Sequence, residues 1–142
     1  RVVVAISVAQ AILESDWGRS RFALEANNYY GIIQTDPTEP HLKSQNSDVL
    51  VKMYGNRCES VADYIALLNG SSAFKEYREL RIKQFMNDNV DVVAVAKTLQ
   101  NYAVDPEYTK KLVAITLGLF EKYPHIFKSD EIWKYYRDNK KT

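Results

Sequence analysis

Apolar residues at Val2, Ala5, Ile6, Ala9, Ile12 and Leu13 recur at helical spacing, and Val3 and Val8 widen the stripe until little polar face is left. This predicts a central, buried first helix. Gly18 supplies its C-terminal stop, and Ser20 caps a short helical turn through Arg21, Phe22, Ala23 and Leu24. The pattern then changes. Residues 27 to 47 run from Asn27-Asn28-Tyr29-Tyr30-Gly31 into a Thr/Asp/Pro-rich segment whose Pro37 and Pro40 exclude a long helix. Val49, Val51 and Met53 alternate with Leu50, Lys52 and Tyr54, the period of a half-buried strand. A small β-containing lobe over about residues 32–56 is the expectation.

The helical period returns at Ser60. Ser60 and Asp63 have the spacing of a capping box, Val61, Ile65 and Leu68 form a stripe, and Gly70 ends it. Ser72 is placed to cap a helix with Phe74, Tyr77, Arg81 and Phe85 on one face, and Asp91 to open one carrying Val92, Val95, Ala96 and Leu99. Asp105-Pro106-Glu107 combines an N-cap, a proline at the first helical position and an acid at the positive dipole end. Tyr108, Leu112, Ile115 and Leu119 follow on one face until Pro124, and a last helix is expected from Ser129 with Ile132, Trp133 and Tyr136. The fold class is therefore α+β, mainly α.

Composition narrows the picture by exclusion. A chain of 142 residues, 46% hydrophobic and 26% charged, has the size of one ordinary domain, so a single domain over residues 1–142 is expected. Its 19 basic and 18 acidic residues are interspersed, which gives no nucleic-acid footprint and no nucleic-acid partner. Cys58 is the sole cysteine, so no intrachain disulfide forms; His41 and His125 lack any metal-ligand spacing, and neither a metal nor another cofactor is expected. The longest apolar stretch, Val2 to Leu13, falls short of the roughly 20 residues of a membrane span. It also lacks the charged start and cleavage site of a signal peptide, so any targeting segment lies outside this chain. Aromatic content of 12%, ten tyrosines included, suits a sugar-binding groove as well as a core.

One residue stands out chemically. Glu14 follows Ile12 and Leu13 on the buried helix and precedes Trp17, which sets its carboxyl against apolar surface. Burial penalises the charged form and raises a carboxyl's pKa. A glutamate kept protonated near neutral pH can donate to the leaving oxygen of a glycosidic bond. A solvated helix-end glutamate is the commoner situation. The residues around Glu14 reverse that expectation.

The run Ala9-Gln10-Ala11-Ile12-Leu13-Glu14-Ser15-Asp16-Trp17-Gly18-Arg19-Ser20-Arg21-Phe22-Ala23 resembles the A-Q-A-x-x-E-S-x-W-G-x-S-x-x-A signature of the glycoside hydrolase family 73 N-acetylglucosaminidases. Asn27-Asn28-Tyr29-Tyr30-Gly31-Ile32 is similar to that family's N-N-x-F/Y-G-I element. Ser60 to Ile65, Leu68-Asn69, Ala73-Phe74, Arg78 and Arg81 resemble its Bax-like branch. Asn101-Tyr102-Ala103 with Asp105-Pro106 and Tyr108 matches Y-A-T-D-P-x-Y, with Val104 in place of threonine. The resemblance touches most of residues 5 to 120.

It implies a lysozyme-like fold and cleavage of the β-1,4 bond between N-acetylglucosamine and N-acetylmuramic acid in peptidoglycan, with Glu14 as general acid. For the second carboxylate, Glu39 is the first choice and Asp48 the second, ahead of Asp36 and Glu59. Carboxyls about 5–5.5 Å apart would indicate retention and about 6.5–9.5 Å inversion; failing a nearby acid, the substrate's acetamido group can serve as nucleophile. The resemblance also places Tyr102 opposite the glutamate, and Trp17, Asn28, Tyr29 and Tyr30 in or behind the sugar groove. One of the two tyrosines is expected to be a packing residue, and Asn28 to hold its loop by bonds to backbone. Trp17 either shields Glu14 or fills the core. Arg78 and Arg81 either pair with a carboxylate or stay solvated. Peptidoglycan strands are the expected partner of a monomer working in the cell envelope, periplasmic or secreted. Asp16 departs from the family's glycine, and Ile33-Gln34 from its lysine and glycine, which bears on substrate preference. Two alternatives stand beside this reading: a lytic transglycosylase, whose G-L-M-Q element is absent here, and a catalytically idle glycan-binding module.

Overall fold

A computed structural model describes residues 3–87 and 91–127. The chain forms two compact units, one of residues 10–67 and one of residues 1–9 with 68 onward. The helix expected from Ser129 lies outside the described residues. Helices dominate, with one small sheet, which is the α+β, mainly helical class.

Helix α1 covers Val4–Ser15 and enters the unit of residues 10–67 at Gln10. Its stripe is buried as the pattern predicts, at Val3, Ala5, Ile6 and Ala9, and the burial extends to the polar Gln10 and Ser15. The helix stops at Ser15, three residues before Gly18, because Asp16 and Trp17 already have left-handed backbones. Ser20 caps α2 (Arg21–Ala26) by accepting from the Ala23 amide, and Asn27 ends it in the left-handed region. Strands β1 (His41–Lys43) and β2 (Leu50–Lys52) pair antiparallel, with Leu42 opposite Val51. Ile33 bridges the other side of Val51, the strand residue that the alternation correctly places inward. Val49 and Met53, expected on the same face, are exposed beyond the ends of this three-residue strand.

Helix α3 spans Arg57–Gly70, starting one turn before Ser60. The expected Ser60–Asp63 box is replaced by Asn56 and Glu59: the Glu59 amide donates to Asn56 Oδ1 at 3.0 Å, and the Glu59 carboxylate accepts from the Gly55 amide at 2.7 Å. Asp63 is thereby released for tertiary use. Its carboxylate accepts from Tyr54 Oη at 2.6 Å and Lys52 Nζ at 3.1 Å, which fastens the hairpin to α3. Burial and that carboxylate raise the Tyr54 phenol above its ordinary pKa.

The other unit has helices and no strand among its described residues. A 3-10 turn (Ser72–Phe74), capped by Ser71 rather than Ser72, leads into α4 (Lys75–Met86). Phe74 and Tyr77 are buried, but Gln84 takes the inward place expected of Phe85, which is exposed. The Arg78 guanidinium donates to the carbonyls of Leu68 and Ser71 at 2.9 and 2.6 Å, so it closes the end of α3 instead of meeting a carboxylate. Asp91 caps α5 (Val92–Lys97) through the Ala94 amide, with Val92, Val95, Ala96 and Leu99 buried as expected. The Asp105-Pro106-Glu107 turn precedes α6 (Tyr108–Lys122), where Thr116 is more buried than Ile115. Pro124 both stops α6 and opens the short α7 (Pro124–Phe127).

Candidate active site

The candidate site residues other than Tyr102, Arg78 and Arg81 fall in the unit of residues 10–67, and their centre is the end of α1. Glu14 is half-buried in the last helical turn. Directly after it the backbone reverses through three left-handed residues, Asp16 (φ 49°), Trp17 (φ 59°) and Gly18 (φ 75°). For the first two this conformation costs roughly 1–2 kcal/mol each. The Ser15 hydroxyl holds the reversal: it donates to the Ala11 carbonyl at 2.5 Å and accepts from the Gly18 amide at 2.8 Å. Thus the serine after the glutamate sets where the helix stops, and therefore where the carboxyl emerges.

The Asn28-Tyr29-Tyr30-Gly31 loop reaches the same place. Gly31 has φ 66°, and a Cβ built on it would lie 3.0 Å from Glu14 Oε2. Both the left-handed backbone and the carboxylate beside it call for glycine here. The loop is shaped by Asn28, whose buried amide donates to the carbonyls of Ile32 and Lys52, each at 3.0 Å, and accepts from the amides of Tyr30 (3.3 Å) and Ile32 (3.2 Å). With its side chain committed to the backbone and buried, Asn28 shapes the loop beside Glu14 and has nothing left for a sugar.

The two tyrosines divide the roles that the sequence left open between them. Tyr30 is buried and stacks on Tyr64 of α3, centroids 3.8 Å apart and planes within 7°. Burial pushes its phenol up to about 12. Tyr64 donates a hydrogen bond to Gln10, one turn before Glu14 on α1. Tyr29 is the half-exposed one: its ring would be 3.3 Å from a Cβ at Gly18, and the Arg57 guanidinium lies 6.0 Å from its centroid. Trp17 is 63% exposed, so it does not fill the core. Asp16, also exposed, pairs with Arg19 at 3.0 Å and has left the helix altogether.

The β-lobe carboxylates occupy different ends of the hairpin. The Lys52 amide donates to Ile32, next to Gly31, and the Met53 amide donates to Pro40, next to Glu39. Glu39 is therefore exposed at the hairpin end from which the Gly31 loop leaves. Asp48 sits in the turn at the opposite end, fully exposed and 3.5 Å from Lys43 Nζ. The three-residue strands between the two ends span roughly 10 Å at 3.3 Å per residue. Asp36 accepts from the Thr38 hydroxyl and amide, which lowers its pKa, and Glu59 is engaged at the start of α3.

Tyr102 belongs to the other unit, in a 3-10 turn (Gln100–Tyr102). There it is half-buried beside Phe74 (5.8 Å) and Tyr108 (6.1 Å, nearly parallel). No cluster of His, Cys, Asp or Glu suited to a metal occurs among the described residues.

A family profile described as glucosaminidase, mannosyl-glycoprotein endo-beta-N-acetylglucosaminidase, matches residues 1–119. The chain belongs to the glucosaminidase family. Within that family it is 31% identical over 134 residues to the exo-glucosaminidase LytG of Bacillus subtilis strain 168, covering 86% of this chain and 44% of that protein. The chain thus spans less than half the length of that relative. Two solved structures share the fold. The peptidoglycan hydrolase of Sphingomonas sp. A1 has a TM-score of 0.66 at 23% identity, over 89% of this chain and 82% of that one. The catalytic domain of the autolysin Auto of Listeria monocytogenes has a TM-score of 0.63 at 22% identity, over 89% and 76%. The lysozyme-like class expected from the resemblance is the class of these two solved structures.

Gln10 and Tyr64 are parts of this site that the sequence pattern does not single out. A signal was present: Gln10 interrupts an apolar stripe four residues before Glu14, on the same helix face.

Proposed function

We propose that this glucosaminidase hydrolyses the β-1,4 bond between N-acetylglucosamine and N-acetylmuramic acid in peptidoglycan, with Glu14 as the general acid. The observation that carries the reading is the contact between Gly31 and the Glu14 carboxylate. It brings the family's glutamate turn and its Asn-Asn-Tyr-Tyr-Gly loop together at one carboxyl oxygen. Backbone packed against the carboxyl removes water from one side of it, the surroundings in which a carboxyl holds its proton for donation to a leaving oxygen.

In this scheme Glu14 protonates the glycosidic oxygen as the bond breaks. Glu39, at the Gly31 end of the hairpin, activates water on the other face of the sugar. The half-exposed Tyr29 and the exposed Trp17 offer apolar ring surface to the glycan. Tyr102 keeps the water- or acetamido-orienting role that the resemblance implies, which a Tyr102→Phe variant tests by its kcat. The work is done outside the cytoplasm, in the cell envelope where the glycan lies.

Purified peptidoglycan incubated with the protein and analysed by mass should yield fragments with reducing-end N-acetylglucosamine. Anhydro-muramic ends would instead identify a lytic transglycosylase, and binding without fragments an idle glycan-binding module.

A further inference from the structure

We infer that Tyr64 and Gln10 are positioning residues for Glu14, acting through a closed ring of contacts that fixes the carboxyl against the Gly31 loop. The inference rests on Glu14 being the general acid.

The ring can be followed residue by residue. Gln10 and Glu14 are four apart on α1 and therefore neighbours on one face. Gln10 accepts from the Tyr64 hydroxyl. The Tyr64 ring lies flat on the Tyr30 ring. Tyr30 is bonded to Gly31, and Gly31 abuts Glu14 Oε2. All five residues belong to the same compact unit and come from three elements: α1, α3 and the loop. Moving the loop away from Glu14 would unstack the tyrosines or break the Gln10 bond.

Stability alone does not account for this arrangement. Gln10 and Tyr64 are each fully buried, and the hydrogen bond between them does little more than offset the desolvation of its two partners, so an apolar pair of the same shape would be about as stable. Methionine at position 10 with phenylalanine at position 64 would keep the volume, the stripe and the ring stack without burying a polar pair. What that pair would lose is a directional link between α1 and the ring that carries the loop. Catalytic geometry is sensitive to such links, since displacements on the order of 1 Å cost rate rather than fold.

The test uses the whole chain on soluble, uncrosslinked peptidoglycan strands. It reads kcat, KM and the thermal midpoint for wild type, Tyr64→Phe, the double variant Gln10→Met/Tyr64→Phe, and Glu14→Gln. In Tyr64→Phe, kcat should fall about tenfold or more while KM stays within about twofold. The double variant should regain the thermal midpoint, because the amide oxygen that Tyr64→Phe deprives of its phenol donor is removed as well, yet keep the low kcat. Should Tyr64→Phe alone not fold, the double variant decides. A Tyr64→Phe kcat within about twofold of wild type, an effect confined to KM, or a double variant whose kcat recovers with its midpoint would each overturn the inference. Glu14→Gln separates the two levels: an active Glu14→Gln removes the general-acid reading itself, whereas an inactive one beside a normal Tyr64→Phe removes only the positioning role.

Discussion

Glu14 and the hairpin carboxylates occupy opposite kinds of surroundings. Around Glu14 the chain is held by a serine-pinned helix stop, an asparagine with four backbone bonds, a stacked tyrosine pair and a glycine in contact with the carboxyl. Glu39 and Asp48 stand exposed on turns, one of them with a 3.5 Å contact to an exposed lysine side chain. The difference matches the two tasks in the proposed reaction. A proton donor has to meet one oxygen of a bond in a fixed direction, and preorganisation is built by packing. A group that activates water works through that water and tolerates a looser placement.

The largest effect expected from breaking this contrast is at Glu14 itself. Glu14→Gln keeps size and hydrogen-bonding capacity but cannot donate a proton, and general-acid loss is worth about 10²–10⁴-fold. Turnover of peptidoglycan should fall by about 10³-fold with an unchanged circular dichroism spectrum. Retained turnover would remove the assignment.

Next is the loop that meets Glu14. Asn28→Ala deprives two amides and two carbonyls of a partner in a buried place, at about 1 kcal/mol for each group that water cannot reach. Destabilisation of about 3 kcal/mol, or a thermal midpoint lower by roughly 10 °C, is expected for a domain of this size. The equivalent truncation on the hairpin tip, Asp48→Ala, should leave the midpoint within about 2 °C. Calorimetry of both variants measures the asymmetry directly.

Tyr30 gives the same contrast a pH signature. Its folded phenol pKa is raised to about 12 against an ordinary value of 10.0. A raised folded pKa means that the unfolded chain loses the proton first as pH rises. The associated stability is therefore complete below pH 10 and is lost between pH 10 and about 12. The loss amounts to about 2–3 kcal/mol, since each unit is worth 1.36 kcal/mol. Denaturant unfolding across that range should show the fall, and Tyr30→Phe should remove this part of it. A pH-independent wild type over the window would contradict the burial argument.

How much of this was legible in the sequence follows from the same contrast. The stripe of α1, the Ser20 and Asp91 caps, and the inward Val51 rest on local spacing and were readable. The stop of α1 was not, because Gly18 is the residue that ordinarily ends a helix, while the structure lets Asp16 and Trp17 adopt that backbone under the grip of Ser15. The start of α3 was misplaced because Ser60 and Asp63 mimic a box that Asn56 and Glu59 form, and only tertiary structure reveals that Asp63 is needed by Lys52 and Tyr54. Glu14 was found through its motif. Gln10 and Tyr64 were passed over because their partnership spans 54 positions, and no periodicity extends that far. The role of Asn28 divided likewise: its suitability for a loop was visible, but not that all its bonds would be consumed there.

The smallest effects come from the hairpin, where the contrast can be sharpened most. If Glu39 activates the attacking water, Glu39→Gln should lower kcat about 10²-fold, less than Glu14→Gln, because a loosely held base contributes at the lower end of acid–base catalysis. Asp48→Asn, at the far end of the same hairpin, should stay within about twofold of wild type. Register underlies the inequality: Met53, just past the end of β2, and Lys52, its last residue, bond the residues next to Glu39 and Gly31, whereas Asp48 lies beyond the other end of the strand. Added azide extends the measurement, since a small anion can replace a missing carboxylate on the water side of the sugar but cannot replace a proton donor. Rescue in Glu39→Gln and none in Glu14→Gln would place the two groups on opposite sides of the bond. If neither hairpin variant loses rate, the acetamido group of the substrate becomes the nucleophile, and the exposure of both hairpin acids is then explained by their having no part in the chemistry.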